Sequence, residues 1–248
     1  MIATVDMKEW LFYSDPMVGI VTGGSKGIGL AIARAFLDRG MQVTISARKD
    51  VELAEAARAL KGGTNVHTVR ADVREPADAQ RLIDDTAQRF GGVDVLVNNA
   101  GIGKFGNVSE MPLDDWRQII ETNLSGVFHC TRAAIPVMKA RGAGFIINIS
   151  SLAGKNPFVG GAAYCASKAG LNAFSEALMQ ELRHDNIRVS YVLPGSVSTA
   201  FGDRESSGEA DWKLSPDDVA RVVVDLIAHE QRSLPSCVEL RPSRPPKK

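Results

Sequence analysis

Short apolar runs alternate with longer amphipathic stretches from residue 17 to the end of the chain. "MVGIVT" (17–22) leads into "GLAIARAFLDRG", and "MQVTISA" (41–47) leads into "VELAEAARALKGG". "NVHTVRADV" precedes "PADAQRLIDDTAQRFGG", and "VDVLVNNAG" precedes a long helical stretch within 112–140. "GFIINISS" precedes a helix over about 161–184, "IRVSYVLPG" precedes one over about 215–229, and "SCVEL" reads as a last strand. Strands that are apolar on both faces need cover on both faces, so the pattern predicts a parallel sheet with helices on either side. Right-handed crossovers wind such a sheet into an α/β, Rossmann-type doubly wound fold. No linker or repeat divides the chain, so 17–248 reads as a single domain behind an N-terminal extension at 1–16.

Two stretches break the rhythm. Trp10, Leu11, Phe12 and Tyr13 make residues 1–16 too apolar for a free tail. They predict a segment that covers a neighbouring surface, or else translation that starts at Met17. "FGDRESSGEADWK" (201–213) is polar and follows a strand end. It predicts a substrate loop over about 200–214.

Composition narrows the classes without naming one. The 248 residues are 44 % hydrophobic and 23 % charged with zero formal net charge. That balance argues against a nucleic-acid or anionic-membrane partner. No run approaches a membrane span, and no signal pattern opens the chain. Cys130, Cys165 and Cys237 are odd in number and widely spaced, which predicts a reducing, cytoplasmic setting without disulfides. His67, His129, His184 and His229 lack ligand spacing, so no metal is expected. The basic end, "RPSRPPKK", reads as a fraying tail.

Candidate chemistry begins at "TGGSKGIG" (22–29), between the first strand and first helix. Gly23, Gly27 and Gly29 allow a tight turn and close approach of a pyrophosphate, with Ser25, Lys26 and Ile28 between and beside them. At the end of the second strand, an acidic residue would bind the adenosine ribose. Here "ISARKD" places Ala47 at that position, followed by Arg48 and Lys49. With Lys26, these charges favour a 2′-phosphate and hence NADP(H).

Further motifs follow in order: "ADV" (71–73), "NNAG" (98–101), Asn123, "SS" (150–151), "YCASK" (164–168) and "PGSVST" (194–199). Together with the glycine loop they resemble the classical short-chain dehydrogenase/reductase family over nearly all of 17–242, including members that reduce 3-oxoacyl thioesters. The resemblance implies that Asp72 and Val73 contact the adenine end. Asn98, Asn99, Ala100 and Gly101 would line the adenosine side, and Pro194, Gly195, Val197 and Thr199 would hold the nicotinamide end. Ser151, thirteen residues before Tyr164, would bind the substrate oxygen, and Asn123 would position a relay water. Tyr164 would be the general acid/base, and Lys168 would hold the nicotinamide ribose and lower the tyrosine pKa. The family is commonly dimeric or tetrameric.

The chemistry agrees with the spacing. Tyr164 and Lys168 lie one helical turn apart on one face. At ~5 Å and an effective dielectric of ~20, ammonium and phenolate attract by about 3 kcal/mol. Ser151 and Tyr164 can both donate to a developing alkoxide. These features predict an oxidoreductase that interconverts an alcohol with a ketone, aldehyde or 3-oxoacyl group. The alternative is a non-catalytic dinucleotide sensor or scaffold. Phe105, Phe158 and Phe201 are expected to shape the substrate pocket. Lys139, Arg141 and Arg183 are candidates to dock an acidic carrier protein. Apolar residues on more than one face of the 114–138 and 165–182 helices predict a homo-oligomer.

Overall fold

A computed structural model describes residues 16–199, 201 and 212–245. The expected extension at 1–16, except Pro16, and most of the 200–214 loop lie outside the described residues. Seven parallel strands form one sheet. They are β1 (Val18–Thr22), β2 (Gln42–Ala47), β3 (Val66–Arg70), β4 (Val95–Asn98), β5 (Gly144–Ile149), β6 (Ile187–Pro194) and β7 (Cys237–Leu240). The spatial order is β3-β2-β1-β4-β5-β6-β7, so the order reverses between β1 and β4. A crevice at that reversal, beyond the strand C-termini, is where such sheets bind ligands.

Strand alternation explains the two-sided core. Val21, Val97 and Ile147 face α1 (Gly27–Leu37), α2 (Asp50–Leu60) and α7 (Pro216–Ile227), where Phe36, Leu53 and Val223 meet them. Ile20, Leu96 and Ile146 face the other way, toward α3 (Pro76–Phe90), α5 (Gly126–Arg141) and α6 (Ala162–Leu182). Neighbouring residues of one strand thus join opposite cores. β3 departs from the fully apolar expectation because it is an edge strand, and only Val69 among its five residues is buried.

The long helix expected within 112–140 is divided. α4 (Leu113–Ile120) passes into a π-helical turn, Glu121–Ser125, and then into α5. α7 starts at a capping box: Ser215 Oγ accepts from Asp218 N at 3.2 Å, and Ser215 N donates to the Asp218 carboxylate at 2.8 Å. The start of the basic end is not a frayed tail. Arg241 pairs with Glu239 at 2.6 Å, and Pro242 packs over Gly195. No helix among the described residues is long and apolar enough to cross a membrane.

Candidate active site

A cavity of about 1080 Å³ opens along the C-terminal ends of the strands. At one end lies the glycine loop. Gly23 adopts φ +64°, a conformation that costs a side-chain-bearing residue strain. A Cβ on Gly29 would collide with the Gly23 carbonyl and the Asn99 amide. The first turn of α1 therefore sits directly against the loop, with its N-terminus facing the cavity. Asn99 clamps the loop by donating Nδ2 to the carbonyls of Thr22 and Gly23 at 2.9 and 3.2 Å. Thr22 Oγ1 accepts from the backbone N–H groups of both Asn99 and Ala100 at 3.0 Å. Thr22 was missed in the sequence, although its place as the last residue of β1 was a usable signal.

Beyond β2, Arg48 and Lys49 are exposed at the cavity wall, as is Lys26. Lys49 pairs with Glu52 at 3.1 Å, and Ser25 Oγ donates to the same carboxylate at 3.4 Å. Glu52, another residue the sequence reading passed over, is held below its ordinary pKa by the Lys49 hydrogen bond. Arg48 makes no ion pair among the described residues within contact distance. Asp72 is gripped by the Arg74 guanidinium at 2.6 Å, which holds its carboxyl below the usual range, and Arg48 acts in the same direction.

The reactive end is built by β5 and α6. Ser151 caps the short turn Leu152–Gly154, accepting from Ala153 N at 3.2 Å, and its hydroxyl hydrogen-bonds the Tyr164 phenol. Its neighbour Ser150 is committed elsewhere, donating to Asn172 Oδ1 at 2.5 Å inside the core. Both serines border the cavity, and the thirteen-residue spacing selects the one whose hydroxyl meets the Tyr164 phenol. Lys168 Nζ donates to the Ile149 carbonyl at 2.9 Å and lies 5.9 Å from the Tyr164 ring centroid. Burial lowers the Lys168 ammonium to about 8. The Tyr164 phenol is raised, not lowered as the sequence implied. Desolvation dominates, and the Ser151 hydrogen bond only partly opposes it.

Asn123 lies in the π-helical turn, where it lines no part of the cavity. Its Oδ1 accepts from Ile102 N at 2.8 Å, and its Nδ2 donates to Ile102 O at 2.9 Å and Ser167 Oγ at 3.1 Å. Both amide hydrogens are thereby engaged, so the side chain braces the 101–103 loop against α6. Asn98 is likewise turned inward, donating to Asn148 at 2.9 Å and Thr131 at 3.1 Å, and Asn99 takes the cavity position.

Apart from Gly29, which packs behind the loop against the Gly23 carbonyl and the Asn99 amide, the other expected cofactor and catalytic residues line the one cavity: Gly23, Ser25, Lys26, Gly27, Ile28, Arg48, Lys49, Asp72, Val73, Asn99, Ala100, Gly101, Ser151, Tyr164, Lys168, Pro194, Gly195, Val197 and Thr199. Phe105, Phe158 and Phe201 line it too. Arg141 and Arg183 do not. With Asp94, which Arg141 binds at 2.8 Å, they line a separate cavity where β5 and β6 begin, at the opposite end of the sheet. Lys139 pairs with Asp185 at 2.7 Å, near the same end. The carrier-docking expectation therefore has no support from these three residues.

The glycine cradle, the α1 N-terminus and the unpaired Arg48 fit an elongated phosphorylated dinucleotide. The chain is 39 % identical over 184 residues to a 3-oxoacyl-[acyl-carrier-protein] reductase of Synechocystis, covering 73 % of this chain and 74 % of that protein. Its structure resembles an alcohol dehydrogenase from Thermococcus sibiricus complexed with 5-hydroxy-NADP, with TM-score 0.86, 28 % identity, and 94 % and 100 % of the two chains covered. It also resembles an actinorhodin polyketide ketoreductase variant with NADPH, with TM-score 0.84, 33 % identity, and 92 % and 96 % covered. The family described as short chain dehydrogenase matches residues 17–210. The chain belongs to the short-chain dehydrogenase/reductase family.

Proposed function

We propose that the protein is an NADP(H)-dependent oxidoreductase that interconverts a carbonyl and an alcohol, with Tyr164 as general acid/base. One observation carries the reading: the Ser151–Tyr164 pair and the buried Lys168 share a single cavity with the glycine cradle and Arg48. The glycine loop and α1 would hold the pyrophosphate, Arg48 and Lys26 the 2′-phosphate, and Pro194 to Thr199 the nicotinamide end. When bound, NADPH supplies the hydride and NADP⁺ accepts it. The protein's own groups handle the oxygen. Ser151 and Tyr164 donate to the carbonyl oxygen and stabilise the developing alkoxide. Burial keeps the Tyr164 phenol protonated at neutral pH, ready to release its proton in reduction. Lys168, still mostly charged at pH 7, would stabilise the phenolate left behind by about 3 kcal/mol at ~6 Å and an effective dielectric of ~20. In the oxidative direction the same phenol must first be deprotonated, so that rate rises toward alkaline pH.

Tyr164→Phe keeps the ring and removes the hydroxyl. It is expected to lower kcat for ketone reduction by roughly 10²–10⁴-fold. NADPH binding, followed by fluorescence titration, should stay unchanged and tighter than NADH binding. Full turnover in the variant, or tighter NADH binding in the parent, would refute the corresponding part of the proposal. We also infer that the chain forms a homo-oligomer. Trp116 and Phe128 on the α4–α5 outer surface remain 44 % and 48 % exposed, an apolar surface that a second copy would cover.

A further inference from the structure

Resting on the NADP(H) reading, we propose that Glu52 is a specificity-determining residue: its carboxylate stands in the cationic corner that would take the 2′-phosphate, and it limits the preference for the phosphorylated cofactor. An acidic residue at the end of the second strand commonly meets the adenosine ribose, but here Ala47 holds that place. Glu52 returns a negative charge to the corner from the first turn of α2. Both of its carboxylate oxygens are engaged. Oε1 pairs with Lys49 Nζ at 3.1 Å, and Oε2 accepts from Ser25 Oγ at 3.4 Å. Lys26 also attracts the carboxylate through space. These four residues and Arg48 line the cavity together. The corner therefore already gathers an anion, and that anion is the protein's own. The Lys49 hydrogen bond holds the carboxyl below its ordinary range, so it is ionised at neutral pH.

The corner rests on fixed backbone. The Gly24 N–H donates to the Ser46 carbonyl at 3.0 Å, which ties the glycine loop to the end of β2. The Leu53 N–H donates to the Lys49 carbonyl at 3.2 Å, so Lys49 and Glu52 belong to one helical turn. The charge balance singles out Glu52. Among the described residues, Asp72 is the other carboxylate on the cavity wall, and Arg74 grips it at 2.6 Å. Asp50, in the same turn of α2 but off the cavity wall, pairs with Arg70 at 3.7 Å. Glu52 is thus the carboxylate set against Lys26, Arg48 and Lys49.

Two effects then oppose each other on a 2′-phosphate. The three cations attract it, while Glu52 repels it and competes for Lys49 and Ser25. The Lys49 side chain is 72 % exposed, and exposed ion pairs hold weakly, so its ammonium can leave the carboxylate for a phosphate. The repulsion remains after that exchange, because Glu52 stays fixed to α2. A cofactor with a free 2′-hydroxyl brings no charge to the corner and escapes the penalty. The carboxylate therefore narrows the gap between the phosphorylated and unphosphorylated cofactors.

The test is fluorescence titration of NADPH and NADH into the parent, Glu52→Gln and Glu52→Asp, with 2′,5′-ADP and 5′-AMP as competitors that lack the nicotinamide. Glu52→Gln keeps the side-chain shape and an oxygen that can accept from Lys49 and Ser25, but it removes the charge. It is expected to tighten NADPH and 2′,5′-ADP binding by about tenfold, the scale of one charge pair at a partly solvated site, and to change NADH and 5′-AMP binding by less than about twofold. The gain should shrink at high salt, where exposed charges are screened. Glu52→Asp, which keeps the charge, should stay closer to the parent than to Glu52→Gln. In a parent that prefers NADPH, an unchanged or lowered NADPH-to-NADH affinity ratio in Glu52→Gln would overturn this inference and leave the cofactor reading standing. Tighter binding of NADH than of NADPH by the parent would overturn the cofactor reading and this inference with it.

Discussion

Lys168 carries its ammonium into the interior, where it donates to the Ile149 carbonyl. Burial lowers it from an ordinary 10.5 to about 8. The unfolded chain therefore holds a proton that the folded chain releases across that window, so stability rises as pH rises from about 8 to 10.5. Below pH 8 the charge opposes folding in full. Lys168→Met is expected to be more stable than the parent by on the order of 2–3 kcal/mol at pH 7, with an advantage that shrinks by pH 9.5. Melting curves at the two pH values decide this; a constant difference, or a variant that melts lower at pH 7, would contradict it. Turnover should be lost alongside, since a destabilised site is often what activity requires. At this scale the sequence was legible where spacing discriminates. Thirteen residues upstream of Tyr164 selected Ser151 over Ser150, and the structure places only Ser151 against the phenol. It was not legible in "NNAG", because the letters do not tell which asparagine ends the strand and turns inward. Asn98 does, pairing with Asn148 on β5, and Asn99 faces the cavity.

At the scale of elements, the π-helical turn between α4 and α5 is the feature that periodicity did not reveal. Ile119, Val127 and Met138 are all buried, so the apolar pattern reads as one helix even though the turn changes the hydrogen-bonding partners within it. What the turn achieves is placement of Asn123, whose amide replaces strand-like partners for Ile102 on the loop that leads to Phe105. Asn123→Ala would leave Ile102 N–H and C=O without these partners. An expected loss of about 2 kcal/mol corresponds to a melting temperature lower by roughly 4–8 °C. Amide exchange at Ile102 should accelerate while that of β1 does not. Exchange that stays slow at Ile102 would show that the loop is held by other contacts. The strands themselves were read within a few residues, because parallel strands buried on both faces leave a continuous apolar signature.

For the whole molecule, the sequence predicted a doubly wound sheet, and the seven parallel strands match it. Assembly beyond the monomer was argued from helices with apolar residues on a second face. Leu113, Trp116 and Phe128 keep that surface apolar and exposed along α4 and α5. Light scattering at micromolar concentration is expected to give a dimer or tetramer; a single monomeric species would reject that inference. The strand order has a separate consequence for biosynthesis. β1 first pairs with β2, close behind it in sequence, but its other neighbour is β4, where Ile20 aligns with Leu96. A nascent chain released only as far as α3 therefore presents an interior strand of the future sheet with one bare edge, open to pairing with any extended segment nearby. The reversal that creates the ligand crevice in the finished protein thus leaves its first ninety or so residues dependent on prompt synthesis of the next strand, and on chaperones whenever the ribosome stalls.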